Sequence, residues 1–190
     1  MGMPIPAGFW TRDMVLALPE AGNRYELLDG ELLVTPAPSP RHQDAVRVVL
    51  GLLHRYLEGV GEGAVYAAPA DVSLDGRQYL QPDLLVVKAP AGRRPSSWAS
   101  AGTPLLVIEV GSPSTARYDR LLKRLGYLRA GVSEYWIVDL DAELIERWVR
   151  GQERPAVLND RLEWRPWAAH PPLVIELPAL FAEILQGHRG

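Results

Sequence analysis

The sequence predicts a single α/β domain in which a mixed β-sheet is flanked by helices. Three observations lead to this prediction: a hairpin signal near the N-terminus, a long amphipathic stretch after it, and apolar runs at 84–87 and 105–110. Consecutive apolar residues in a strand indicate burial on both faces of a sheet. With 190 residues, 47% of them hydrophobic, the chain can fill one core, so we expect one domain over residues 1–190.

The first predicted elements are a short helix and a β-hairpin. Thr11 is a suitable N-cap for a helix that runs to about Leu18. Residues 25–28 and 31–34 then flank Asp29-Gly30, a dipeptide that is typical of a two-residue hairpin turn. We therefore expect an N-terminal β-hairpin.

The rest of the chain alternates between helical and extended patterns. Apolar residues recur at helical spacing from Val46 to Leu57, whereas the extended segments are shorter and bounded by turn residues. The predicted elements are, in order, a helix from His42 to Gly59, strands over 65–74 and 80–87, a loop over 89–104, a strand over 105–110, a helix from Leu121 to Gly131, strands over 134–140, 144–149 and 173–177, and a closing helix over 178–185.

Composition narrows the range of functions. The formal net charge is −3 and the pI is about 5.8, so no global basic field draws the protein to nucleic acid. The absence of cysteine excludes disulfides, thiolate zinc sites and cysteine nucleophiles, which leaves oxygen and imidazole ligands for a metal. The N-terminus has no signal-peptide pattern and no apolar run reaches about 18 residues, so we expect a cytoplasmic protein without a membrane partner.

Two carboxylates lie at positions where the pattern predicts burial. Glu109 is embedded in the apolar run 105–110, and Asp83 stands at the head of the run 84–87. An ionised carboxylate in a low-dielectric interior must be paired, protonated or bound to a cation. If the two strands are neighbours in one sheet, a divalent ion between the acids relieves their repulsion. Hard oxygen ligands favour Mg²⁺ or Mn²⁺, which suits water activation against a phosphodiester.

Lysine usage adds a third group to this predicted site. The chain contains two lysines, Lys88 and Lys123, against eighteen arginines. An ammonium is a compact charge that can sit beside a reacting oxygen, and Lys123 lies on the predicted helix that follows Glu109. Asp119 is spaced i,i+4 from Lys123, so the two share a helix face. We expect Lys123 to orient the attacking water or stabilise the transition state, with Asp119 holding its ammonium.

These residues belong to a longer series along the chain. The series consists of the hairpin 25–32, His42, Gln81-Pro82-Asp83-Leu84, residues 109–115, Asp119, Lys123, Tyr127, Gly131-Val132 and residues 134–139. It closely resembles the Uma family of restriction-endonuclease-like proteins, within the PD-(D/E)XK nuclease superfamily, over nearly the whole chain. The resemblance implies a restriction-endonuclease-like core, a magnesium site formed by Asp83 and Glu109, and a homodimer.

One position departs from the superfamily pattern. The lysine that the superfamily places two residues after the glutamate is Gly111 in this chain. In the Uma family the lysine stands on the following helix, at the position of Lys123. The resemblance therefore implies that Lys123 reaches back to the two acids from that helix.

Three further residues are auxiliary members of the predicted site, and each has a structural alternative. The resemblance implies that Glu26 faces the cleft, although on its hairpin strand it would equally face solvent. His42 would contact the phosphate or the water of the metal, or else cap its helix or pack against the sheet. Asp119 would also suit the first turn of a helix through the helix dipole. The three principal residues together would likewise form a purely structural ion-pair network.

The sequence thus predicts a Mg²⁺- or Mn²⁺-dependent endonuclease that hydrolyses phosphodiester bonds in DNA. Asp83 and Glu109 are the predicted metal ligands, and Lys123 is the predicted electrostatic catalyst. The rival prediction is a non-catalytic module that retains the fold to bind protein or nucleic acid, which the acidic pI and Gly111 favour. A metal-dependent hydrolase of small phosphoesters is a third class.

Overall fold

A computed structural model describes residues 9–19, 22–70, 72–73, 78–90, 93–111 and 122–188. Within these ranges the chain forms helices and strands in three sheets of four, six and two strands. The six-stranded sheet is mixed, and helices cover both of its faces. No helix in these ranges combines the length and apolar character that crossing a membrane requires.

The N-terminal segment forms the predicted helix and hairpin. Helix α1 (Arg12–Leu16) begins after Thr11, whose hydroxyl accepts a hydrogen bond from the backbone N–H of Met14. Strands β1 (Arg24–Leu28) and β2 (Glu31–Thr35) pair antiparallel. Asp29 and Gly30 both have positive φ, 50° and 85°, which matches the right-handed twist of the strands that they join.

Helix α2 (Pro40–Val60) is the long amphipathic helix of the sequence pattern. The hydroxyl of Ser39 accepts a hydrogen bond from the backbone N–H of His42, and Pro40 occupies the first turn, where a missing N–H costs nothing. The helix ends at a left-handed Gly61 rather than at the predicted Gly59. Its buried stripe includes Leu53 and Leu57.

The main sheet has the order β10-β9-β8-β7-β6-β3, with all neighbours antiparallel except the parallel pair β7 and β8. A parallel pair needs a crossover connection, and the short helix α3 (Arg124–Arg129) lies in it. The strands of this sheet are β3 (Glu62–Ala67), β6 (Leu84–Pro90), β7 (Leu106–Gly111), β8 (Glu134–Asp139), β9 (Leu144–Val149) and β10 (Ala156–Leu158).

Two predicted strands are each divided between sheets. The prediction of continuous strands over 65–74 and 80–87 is wrong, because β4 (Val72–Ser73) and β5 (Gln78–Leu80) leave the main sheet. They join the hairpin in a four-stranded sheet of order β2-β1-β5-β4. The chain therefore changes sheet at residues 81–83, and Asp83 lies at the junction.

The C-terminal segment packs with α2 on one face of the main sheet. Strands β11 (Arg161–Trp164) and β12 (Leu173–Glu176) form a two-stranded sheet, and helix α4 (Leu177–Ile184) closes the chain. The predicted strand and closing helix are confirmed to within two residues, whereas β10 and β11 were not predicted. The predicted loop over 89–104 contains a 3-10 helix, Trp98–Ser100.

The core is built on both faces of the main sheet. Leu84 and Val86 pack in a cluster with α2, α4 and the two-stranded sheet, while Leu85 and Val87 pack in a second cluster with α3 and the four-stranded sheet. This alternation confirms the prediction that the run 84–87 is buried on both faces.

Truncation of Leu53 tests the packing of α2. Leu53→Ala removes a fully buried side chain, so we expect the free energy of unfolding to fall by about 3 kcal/mol, measured by urea denaturation. Leu16→Ala is the control, because half of that side chain is exposed. If Leu53→Ala lowered the free energy of unfolding as little as Leu16→Ala does, the burial of Leu53 in the core would be contradicted.

Candidate active site

Asp83 and Glu109 lie side by side where the main sheet meets the four-stranded sheet. Strands β6 and β7 pair with Leu84 opposite Ile108, and the next position in the same antiparallel register places Asp83 opposite Glu109. Glu109 leaves the same face of β7 as Val107 because side chains alternate along a strand, whereas Asp83 directly precedes β6 and its carboxylate is reached by His42 of α2. Both carboxylates are buried, at 2% and 1% exposure.

Asp83 is held by three donors. The backbone N–H of Val110 donates to Oδ2 at 2.7 Å, and Nη1 of Arg24 donates to Oδ1 at 2.8 Å. His42 Nε2 lies 3.0 Å from Oδ2. Burial raises the pKa of Asp83, but His42, Arg24 and the Val110 N–H outweigh it and lower the pKa to about 2. An ionised carboxylate only accepts, so His42 donates from Nε2.

Glu109 is held from the side of α3. Lys123 Nζ lies 3.2 Å from Glu109 Oε1, and the Tyr127 hydroxyl donates to the same oxygen at 3.3 Å. Burial and the neighbouring charge of Glu109 raise the pKa of Tyr127 well above its ordinary value, so this phenol remains a donor at neutral pH.

Glu26 forms the back of the cluster. It lies on β1 and is fully buried, so the alternative that it faces solvent is wrong. Lys123 Nζ lies 2.8 Å from its Oε2, and the backbone N–H of Gln81 donates to Oε1 at 2.8 Å. Glu26 therefore ties the hairpin to both α3 and the sheet junction.

Lys123 reaches the acids because α3 approaches the sheets closely. Lys123 itself has helical backbone angles and directly precedes α3. A Cβ atom on Gly126 would lie 2.9 Å from Gln78 Oε1 and 3.3 Å from Leu28 Cδ1, so a larger residue would displace these side chains or the helix. The buried ammonium thus bridges Glu26 and Glu109.

Arg24 is a member of the cluster that the sequence reasoning missed. Its Nη1 also donates to the backbone carbonyl of Gln81 at 3.0 Å, and its Nε lies 3.9 Å from Glu26 Oε2. Burial lowers the pKa of Arg24, but Glu109, Asp83 and Glu26 outweigh it and raise the pKa above its ordinary value. The one sequence signal was its spacing, since Arg24 and Glu26 are two residues apart on one strand face.

Asp83 and Glu109 line a cleft of ≈ 660 Å³. Its walls come from the segment that precedes α2 and from the end of β3, and Arg24 and His42 also line it. Glu26 and Lys123 are not among its lining residues and lie behind the two acids. A ligand in the cleft can therefore reach Asp83 and Glu109 beside Arg24 and His42, whereas Glu26 and Lys123 lie beyond them.

A model of the Uma2 family, described as "Putative restriction endonuclease", matches residues 12–178. The chain belongs to the Uma2 family. A crystal structure from Anabaena variabilis ATCC 29413, described as a putative nuclease belonging to DUF820, superposes with a TM-score of 0.76. It is 19% identical in sequence, and the match covers 93% of this chain and 99% of that one. Among curated proteins, no match was found.

The structural likeness confirms the predicted restriction-endonuclease-like fold, and the family match confirms the predicted family. In this Uma2 protein the structure brings together five of the six predicted site residues, and the sixth, Asp119, lies outside the described residues. His42 contributes its ring to Asp83, whereas Ser39 caps the helix, so the alternative that His42 is the cap is wrong. The catalytic and metal-binding roles of these residues stay predictions.

The pH dependence of stability tests the pairing of Asp83. Its pKa in the folded protein lies below the ordinary value of 3.8, so the ionised group stabilises the fold above about pH 4 and loses this effect as the pH falls towards 2. With EDTA present, we expect Asp83→Asn to lower the free energy of unfolding at pH 7 by about 2 kcal/mol, with the deficit shrinking between pH 4 and pH 2.

Urea denaturation at each pH measures this deficit. Asp141→Asn serves as the control, because the Asp141 side chain pairs with Arg41 but is 57% exposed. A deficit for Asp83→Asn that stayed constant down to pH 2 would show that the carboxylate charge is not what stabilises the fold.

Proposed function

We propose that this Uma2 protein is a divalent-metal-dependent endonuclease that cleaves DNA. The observation that carries the proposal is the pair of buried carboxylates, Asp83 and Glu109, at the wall of one cleft in a chain of this family. The family description supports a nuclease and, because restriction enzymes act on DNA, a DNA substrate. We further propose that Mg²⁺ or Mn²⁺ is the cofactor.

The donor set fits such an ion. Among the described residues the cluster contains three carboxylates, on Glu26, Asp83 and Glu109, against the two fixed cations Arg24 and Lys123, so a further cation suits its charge balance. Within the same ranges no group of three or more His, Asp or Glu side chains converges as a metal cluster. Two carboxylates with water in the remaining positions is a common way to hold Mg²⁺.

Asp83 and Glu109 would hold the ion. When bound, Mg²⁺ or Mn²⁺ acts as a Lewis acid on the phosphate and lowers the pKa of an attacking water. Lys123 donates a hydrogen bond to Glu109 and adds positive potential behind the phosphate site. His42 and the Val110 N–H fix the orientation of Asp83.

A second candidate function is a binding module that retains the fold without catalysis. The position of Lys123 favours it, because the ammonium lies behind the acids and is bound to two glutamates. Such a network compensates most of the carboxylate charge without a metal. Metal binding separates the two candidates.

Calorimetric titration with Mn²⁺ tests the metal site. We expect wild type to bind Mn²⁺ and Glu109→Gln to bind at least about tenfold more weakly, because it loses a charged ligand. Glu134→Gln is the matched control, because Glu134 is also mostly buried and ion-paired, with Arg147. Absence of binding to wild type, or equal binding to Glu109→Gln, would leave the binding module as the better candidate.

Plasmid cleavage tests the role of Lys123. With Mg²⁺, we expect wild type to nick supercoiled DNA and Lys123→Ala to nick it about 100-fold more slowly, through loss of electrostatic stabilisation. Lys88→Ala is the control, since Lys88 is the other lysine of the chain and is exposed. Because Lys123 is buried, circular dichroism must show that Lys123→Ala is folded; nicking by that folded variant at the wild-type rate would refute the role.

A further inference from the structure

The guanidinium of Arg24 lies among the carboxylates that would bind the metal. One nitrogen donates to Asp83 Oδ1 at 2.8 Å, and Nε lies 3.9 Å from Glu26. The negative charge of Glu109 also acts on this guanidinium. Arg24 is thus a cation in direct contact with Asp83.

A divalent ion between Asp83 and Glu109 would lie within a few ångströms of this guanidinium. Two cations at that distance repel each other. Oδ2 of Asp83 already has contacts with His42 and the Val110 N–H, so the ion would use Oδ1, the oxygen to which Arg24 donates. The ion and Arg24 therefore cannot both keep full contact with this carboxylate.

Arg24 has room to move. Its side chain is 20% exposed and lines the cleft, unlike Glu26 and Lys123 behind it. Its backbone is fixed by pairing with Thr35 in the hairpin, so the long side chain can turn into the cleft without any change in β1. A guanidinium that turns this way faces the region where the substrate phosphate would lie, and arginine binds phosphate well.

We propose that Arg24 is a positioning residue that occupies the cation site of the acid cluster and yields Asp83 to the divalent ion, turning into the cleft towards the substrate phosphate. This inference rests on the proposed metal-dependent function. Substitution of a residue that contacts metal ligands usually weakens metal binding. This proposal predicts the opposite for Arg24, whose substitution should strengthen metal binding.

The test is calorimetric titration of the full chain with Mn²⁺ in wild type, Arg24→Gln and Arg24→Lys. We expect Arg24→Gln to bind Mn²⁺ about tenfold more tightly than wild type, because the competing charge is gone. Arg24→Lys keeps the charge and should stay close to wild type. Arg147→Gln is the matched control, since Arg147 is 26% exposed and lies 2.8 Å from Glu134, and its affinity should be unchanged.

Thermal denaturation gives a second readout. Without metal, Arg24→Gln should have a lower Tm than wild type. Added Mn²⁺ should raise the Tm of Arg24→Gln by more than it raises the Tm of wild type. A variant that folds only with Mn²⁺ would also support the inference, because the metal then replaces the guanidinium. A variant that stays unfolded at Mn²⁺ concentrations that saturate wild type would overturn it.

The outcomes distinguish a failure of this inference from a failure of the metal-dependent function on which it rests. If wild type binds Mn²⁺ and folded Arg24→Gln binds it equally or more weakly, Arg24 supports the ligands rather than competing with the ion, and the inference is overturned while the metal-dependent function stands. If neither protein binds Mn²⁺, the metal-dependent function is overturned together with the inference.

Discussion

The placement of Asp83 opposite Glu109 is the constraint on which the rest of the site depends. Two neighbouring carboxyl groups in a buried site require cations or hydrogen-bond donors close by, because the surrounding core is apolar. β1 supplies Arg24 and the start of α3 supplies Lys123. The hairpin and the crossover helix are therefore fixed to the sheet by charge as well as by packing.

A buried ion-pair network of this kind is an inefficient way to stabilise a fold. Apolar residues of similar volume often stabilise a protein equally well or better than buried ion pairs. Asp83 and Glu109 nevertheless form part of a cleft wall, with Glu26 and Lys123 buried behind them. This arrangement gives the charges access to a ligand, which a structural network does not need.

The sequence predicts most elements and the main acids of the site because those signals are local. A charged residue inside an apolar run identifies Asp83 and Glu109 without knowledge of the fold. Arg24 and the burial of Glu26 could not be predicted, because alternation on β1 does not reveal which face a second sheet will cover. The division of the predicted strands between two sheets could not be predicted for a similar reason. The change of sheet at residues 81–83 depends on tertiary packing, which leaves no periodic pattern in the sequence.

The site is assembled from two sheets that do not share a hydrogen-bonded strand pair in the described part of the chain. Arg24 and Glu26 belong to one sheet, while Glu109 belongs to the other. A relative slide of about 1 Å would stretch the 2.8 Å contact between Arg24 and Asp83 beyond hydrogen-bonding range. Apolar residues between the layers, such as Leu28 and Leu85, consequently act as spacers, and a substitution of either would also alter the distance between Arg24 and Asp83.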